Sequence, residues 1–270
     1  MGQTGFLPCN GASIHYEMAG TGDTIVLLHG APLDSRMWEP QMAALAKRYQ
    51  VIRFDMRGMG QSVDPGTPFT LYEDLSSLLQ QLHIRRASLI GASFGSYASV
   101  EFALAYPDVV QSLILVCPGG FAPPSEGQQR MFQKVQEQLA TGNLDEALEI
   151  NLHLLLDGPD QPRGRVTKKR SWLKEIYRDI FLQSRSFTKP DALQPDPRNR
   201  LAEIAVPTLV ISGELDHPDF LETAANLVRT IPNATQRFCK NSAHFPSIDC
   251  PNEFVEIVED FFRQQTPSAR

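Results

Sequence analysis

Cysteine, positive charge and long apolar runs are all scarce in this chain, and each scarcity closes off a class of protein. Only 4 cysteines occur in 270 residues, at Cys9, Cys117, Cys239 and Cys250, with no Cys-x-x-Cys pair among them. They read as small buried hydrophobes with reduced thiols, as in a cytoplasmic protein that needs no disulfide framework. The first residues, Met1 to Asn10, lack the basic and then apolar pattern of a secretory signal, so a cytoplasmic location is expected. No apolar run approaches the ~20 residues a membrane helix needs. The formal net charge of −6 argues against nucleic acid or an anionic membrane as the main partner. Repeats and low-complexity tracts are missing as well. What remains is an acidic chain whose default partner is a small molecule. Its length suits a single α/β domain with room for an insertion, which buries roughly three quarters of its unfolded surface. Oligomeric state has no signature in the sequence.

The chain opens on short alternating segments near Phe6 to Leu7 and Ser13 to Met18, joined through Cys9-Asn10-Gly11, a hairpin turn signal. Strand-length apolar runs then alternate with helical stretches: Thr24 to Leu28, a helix near Met37 to Lys47, Val51 to Phe54, a helix near Leu71 to Gln81, and Ala87 to Ile90. A helix from Phe94 to Ala105 and a strand from Ser112 to Val116 follow. Such alternation predicts an α/β fold, a mostly parallel sheet with helices on both faces. From Pro118 to Arg200 the strand pattern stops, leaving helical segments at Gln128 to Ala140, Leu144 to Leu156 and Val166 to Ser184. This is expected to be an inserted helical cap, residues 118–200, on a core formed by residues 1–117 and 201–270. Strands return at Thr208 to Ser212 and near Thr235 to Phe238, with helices near Phe220 to Arg229 and Pro251 to Arg263. Prolines at both ends of the insertion suit hinges over the carboxyl edge of the sheet, where ligands of open α/β sheets bind.

Gly91-Ala92-Ser93-Phe94-Gly95 lies where the strand Ala87 to Ile90 gives way to a helix. An abrupt strand-to-helix junction strains its central residue and demands small neighbours two positions away, which Gly91 and Gly95 supply. The turn lifts the Ser93 hydroxyl above the sheet and aims the helix N-terminus at whatever reacts there. A serine hydroxyl is a weak nucleophile, so it needs a base, and the base needs an orienting carboxylate. Just past the strand Thr208 to Ser212 comes Gly213-Glu214-Leu215-Asp216. Just past the strand near Thr235 comes Asn241-Ser242-Ala243-His244. Asp216 and His244 are therefore the expected acid and base, and both converge on the sheet edge that carries Ser93. His217 would have to fold back over its own backbone to bond Asp216. Asp219 reads as a helix N-cap, Asp249 lies beyond Pro246, and Glu214 is expected to turn away.

An oxyanion needs two donors. Phe94 offers its N–H at the helix start. In His29-Gly30-Ala31-Pro32 the proline has no N–H, which leaves Ala31 as the second. His29 is expected to brace this loop, and Asp55 and Arg57 to hold the loop Asp55 to Ser62 by charge-assisted bonds. The basic cluster Arg163, Arg165, Lys168, Lys169, Arg170 and Lys174 reads as a solvated helix face, with an anionic dock as the alternative. Among apolar cap residues, Phe132 and Trp172 are the candidates to line a substrate pocket.

These motifs, in order at the ends of the right strands, make the chain resemble the α/β-hydrolase superfamily from about Ala12 to Phe262 outside the cap. His29-Gly30-Ala31-Pro32, Asp55-x-Arg57-Gly58-x-Gly60-x-Ser62 and Gly213-Glu214-x-Asp216 are similar to the lidded small-molecule hydrolases, including carboxylesterases and, in a general way, enol-lactonases of 3-oxoadipate. The resemblance implies an eight-stranded sheet, no metal or organic cofactor, and attack by Ser93 on a carboxylic ester or lactone. Serine in place of aspartate separates the chain from dehalogenase and epoxide hydrolase branches. Ser96 departs from the glycine often found there. Two alternatives share the same framework: a ligand receptor or signalling partner that keeps the triad, and a carbon-carbon bond hydrolase or perhydrolase.

Overall fold

The computed structural model describes residues 2–183 and 188–265. Asn10 (φ 48) and Gly11 (φ 82) both take positive φ, the tight turn whose twist matches the strands it joins. It pairs β1 (Gln3–Cys9) with β2 (Ala12–Ala19), Cys9 opposite Ala12. The chain continues through β3 (Thr24–Leu28), α1 (Glu39–Leu45), β4 (Gln50–Phe54), α2 (Leu71–Gln81), β5 (Ala87–Ala92), α3 (Phe94–Ala105) and β6 (Val110–Val116). Three helices follow before the next strand: α4 (Glu126–Ala140), α5 (Leu144–Leu152) and α6 (Arg170–Leu182). Then come β7 (Thr208–Gly213), α7 (Pro218–Thr230), β8 (Ala234–Cys239), α8 (Pro246–Asp249) and α9 (Pro251–Gln265). The 8-stranded sheet runs β1-β2-β4-β3-β5-β6-β7-β8. β2 pairs antiparallel with both its neighbours, and every other pair is parallel.

Strand periodicity explains the layering. Val26 and Leu28 join Leu75 and Leu78 of α2, Phe102 of α3 and Leu227 of α7 on one face. Ile25 and Leu27 point the other way, onto Leu45 of α1 and Phe254 and Val258 of α9. Both faces of the sheet are thus covered, and each buried side chain of this size contributes about 1.5–3 kcal/mol. The apolar stripes of the inserted helices, with Leu148, Leu152, Leu173 and Ile176, belong to the second cluster.

Element boundaries differ from the sequence pattern for identifiable reasons. The helix expected from Leu144 to Leu156 is regular only to Leu152, and His153–Asp157 widens into a π turn closed by the Gly158 N–H on the His153 carbonyl, 3.0 Å. The helix expected from Val166 begins at Arg170, because Lys169 takes the left-handed conformation (φ 67). Its expected end, Ser184, lies outside the described residues. The stretch expected as a helix from Met37 opens with a 3-10 turn, Ser35–Trp38, capped by the Asp34 carboxylate. The short α8 carries no sequence signal beyond Pro246 in its first turn. Among the described residues no helix is long and apolar enough to cross a membrane.

The basic cluster is a solvated face only in part: Arg163, Lys168 and Lys169 are exposed, whereas Arg165, Arg170 and Lys174 are drawn into pairs. Arg170 pairs with Asp157 (2.9 Å) and Glu149 (2.8 Å), and Lys174 pairs with Glu149 (2.8 Å). Arg163 meets Glu146 at 3.1 Å. Arg165 donates to the carbonyl oxygens of Asp157 (2.7 Å) and Asn241 (2.8 Å). These cations are spent on holding the insertion together and tying it to the loop after β8.

Candidate active site

Ser93 sits between β5 and α3 at φ 51, ψ −113, a conformation a non-glycine residue holds only under strain. The two glycines make this possible. A Cβ on Gly91 would lie 2.2 Å from the Gly95 carbonyl oxygen, and one on Gly95 would lie 2.4 Å from that of Leu28. Ser96 reinforces the junction, its hydroxyl donating to the Gly91 carbonyl oxygen at 2.7 Å. The Ser93 N–H donates to the Val116 carbonyl at 2.8 Å, which locks the turn to the end of β6.

Asp216 and His244 leave the ends of β7 and β8 as expected, and they meet. The His244 Nδ1 and Asp216 Oδ2 atoms are 2.8 Å apart, with both residues buried. The other Asp216 oxygen accepts the His217 N–H at 2.8 Å. Gly213 lets the two loops approach, since a Cβ there would lie 1.9 Å from the Ala243 carbonyl oxygen. The His244 ring packs against Phe220 of α7, centroids 4.1 Å apart. From the far side, the insertion contributes a backbone bond: the His244 N–H donates to the Leu155 carbonyl oxygen at 2.9 Å. The π turn ends the helix two residues later, so that carbonyl has no helical partner of its own.

Rival residues are engaged elsewhere. His217 caps α7, its Nδ1 accepting the Asp219 N–H at 3.2 Å. Asp219 accepts the Ser125 N–H at 2.8 Å, so it is a tether for the start of α4 rather than the N-cap. Asp249 accepts the Ser242 hydroxyl at 2.7 Å, and burial pushes its carboxyl up. Glu214 is exposed. His29 braces two loops, its ring meeting the Gly30 carbonyl at 3.0 Å and accepting the Met56 N–H at 2.9 Å. Asp55 accepts from the Ser35 and Gln61 backbones, both at 2.8 Å. Arg57 turns to α2, where it forks onto Asp74 at 2.8 and 2.7 Å.

Ser93 and His244 line one cavity of about 120 Å³ together with Ala31, Phe132, Val135, Leu155 and Phe220. Phe94 opens α3, so its N–H has no intrahelical acceptor. Of the two apolar candidates, Phe132 lines this cavity and Trp172 does not: the Trp172 ring carries the Lys169 ammonium, 5.3 Å from its centroid. Two contributors are absent from the sequence expectations. Asn151 lines the wall from within a helix, with no local signal. Gly119, whose Cβ would lie 3.1 Å from the Ser93 hydroxyl oxygen, has only the Gly-Gly pair after β6 as a signal, which those expectations pass over. Cys117, Asp216 and His244 offer ligand atoms within 4.8 Å of one another. Burial pushes the Cys117 thiol well up, away from the thiolate a metal would need, and the other two are spent on each other.

A sequence model of the alpha/beta hydrolase fold matches residues 23–251 of the chain. A pimeloyl-[acyl-carrier protein] methyl ester esterase of Aeromonas hydrophila is 27% identical over 92% of this chain and 99% of its own length. A 2-hydroxy-6-oxononadienedioate/2-hydroxy-6-oxononatrienedioate hydrolase of Paraburkholderia xenovorans is 30% identical over 92% of this chain and 90% of its own. In three dimensions the chain is similar to a thermophilic esterase from Thermogutta terrifontis, with a TM-score of 0.74 at 23% identity over 97% of this chain and 98% of the other.

Proposed function

Because the chain belongs to the alpha/beta hydrolase fold family, we propose that it is a serine hydrolase of a neutral carboxylic ester or lactone, with Ser93, His244 and Asp216 as its triad. The buried bond between His244 and Asp216 carries this reading, since it leaves the opposite ring nitrogen to serve a serine on the same cavity wall. His244 takes the proton from Ser93 as the hydroxyl oxygen attacks the carbonyl carbon. The Ala31 and Phe94 N–H groups receive the oxyanion. As the intermediate collapses, His244 returns the proton to the leaving alcohol and an acyl-enzyme remains. Water, with His244 again as base, releases the acid and restores the serine. Asp216 holds the imidazole in the tautomer this cycle needs and steadies its charge.

Helices α4 to α6 act as a cap in this reading, placing Phe132, Val135 and Leu155 over Ser93. The cavity chemistry favours an ester over the dicarboxylate of the Paraburkholderia relative's name. Among the described residues that line it, none is lysine or arginine, so a second carboxylate would be desolvated without a partner. Assay of Ser93→Ala on a panel of esters and lactones of graded size tests the reading. The expected result is a loss of at least about a thousandfold in kcat for every compound the unaltered protein turns over; undiminished turnover would end it.

A further inference from the structure

The cavity wall facing Ser93 and His244 is apolar along Phe132, Val135, Leu155, Phe181 and Phe220. Two polar side chains interrupt it, Gln136, which is exposed, and the buried Asn151. Asn151 lies on α5 one helical turn before Leu155, whose carbonyl oxygen holds the His244 N–H. It is 4% exposed, and its Nδ2 meets no acceptor among the described residues. The Tyr177 phenol lies within the amide's reach and draws weakly on it, but the pair does not meet hydrogen-bond geometry. A buried amide donor without a partner destabilises a fold, and a wall otherwise lined mainly by leucine, valine and phenylalanine would be better sealed there by another apolar side chain.

We propose that the Asn151 amide donates to the substrate, so that the preferred acyl group carries a neutral oxygen acceptor, a ketone or ether, some way along its chain from the scissile carbonyl. The acyl group is the part that stays in the cavity once the alcohol has left, so it is the part a buried donor can select. A carboxylate is the wrong acceptor, because among the described lining residues no cation accompanies the amide. A plain alkyl chain of the same shape leaves the donor unpaired in the bound state, and sites built to bond a substrate oxygen reject such analogues strongly. The proposal rests on the hydrolase reading for its chemistry and on Asn151 for its selectivity.

The test compares p-nitrophenyl levulinate with p-nitrophenyl isocaproate, which replaces the ketone by a methyl branch of the same shape, and extends both by one and two methylenes. For at least one pair kcat/KM favours the ketone by about tenfold or more, after division by the spontaneous hydrolysis rates. Asn151→Leu and Asn151→Ala bring that ratio close to one, and Tyr177→Phe leaves it in place. The same pairs are then titrated against the Ser93→Ala protein, with and without Asn151→Leu, to measure Kd without turnover. A ketone preference in Kd that disappears with Asn151→Leu supports the donor role even if no ester is hydrolysed, in which case only the hydrolase reading falls. Turnover with no ketone preference at any length, or a preference that survives both Asn151 variants or is lost with Tyr177→Phe, overturns the proposal and leaves the hydrolase reading standing.

Discussion

Asp216 is held between two donors, its Oδ1 accepting the His217 backbone N–H and its Oδ2 facing the His244 Nδ1, each at 2.8 Å. This arrangement fixes what an amide in the same place would do. In Asp216→Asn the carbonyl oxygen must stay on the His217 N–H, which is a permanent donor, so the NH2 group turns to His244. The imidazole then has to accept at Nδ1 and carry its proton on the other nitrogen, where it cannot take one from Ser93. The expected loss in kcat is about a thousandfold to ten-thousandfold with the melting temperature little changed. Rates within a factor of a few of the unaltered protein would remove Asp216 from the mechanism.

Strain at the serine gives a stability prediction of opposite sign to its effect on rate. Ser93 holds φ 51 and ψ −113, a cost of about 1–3 kcal/mol for a residue with a Cβ. Glycine takes that conformation without the steric cost but loses roughly 0.5–1 kcal/mol to chain entropy. Ser93→Gly should therefore be inactive and more stable than Ser93→Ala by about 1 kcal/mol in urea unfolding. Equal stability of the two variants would show that the turn stores no strain.

A buried acid behind the site sets a pH dependence. Glu101 of α3 is 1% exposed and accepts the Leu193 N–H at 2.8 Å. Burial, with Asp196 nearby, raises its carboxyl from 4.5 to about 7. Between those values the folded protein keeps a proton that the unfolded chain has lost. The stability Glu101 contributes is fully present below 4.5 and is lost as pH rises through about 7. Glu101→Gln keeps an acceptor for Leu193 and never ionises. It should exceed the unaltered protein by on the order of 2 kcal/mol in the alkaline range and by little in mild acid, read from urea midpoints at the two conditions. A difference independent of pH would rule out ionisation as the cause.

Reading the sequence located the chemistry better than the pocket, and the reason is geometric. Ser93, Asp216 and His244 each follow a parallel strand, so strand order alone brings them to one edge of the sheet, and their motifs are local. The later strands were legible as short runs among helical stretches, and β1 and β2 as alternating segments around the Asn10-Gly11 turn. The insertion obeys a weaker code. Helical periodicity says that Phe132 and Trp172 face inward, but not what they face, and the answer depends on how α4, α5 and α6 cross. The π turn at His153–Asp157 follows α5 and the Lys169 turn opens α6, and neither has a sequence signature. The basic cluster misled because its acidic partners, Asp145, Glu149 and Asp157, lie on a different segment of the chain.

That distinction between Phe132 and Trp172 can be measured. Phe132 is 38% exposed, large and apolar, and it lines the cavity beside Ser93. Trp172 packs its partly buried ring against the core cluster that α5 and α6 share with one face of the sheet, beneath Lys169. Phe132→Ala removes a wall that a bound acyl chain touches, which should raise KM and lower kcat/KM about tenfold for longer acyl groups, with less effect on acetate esters. Trp172→Ala should act through folding: about 2–3 kcal/mol of stability lost from a partly buried aromatic, and kcat/KM within a factor of a few at temperatures where the variant stays folded. The comparison uses steady-state kinetics across an acyl series alongside urea unfolding of each variant. A chain-length profile altered by Trp172→Ala and left intact by Phe132→Ala would reverse the assignment and move the acyl site to the Lys169 side of α6.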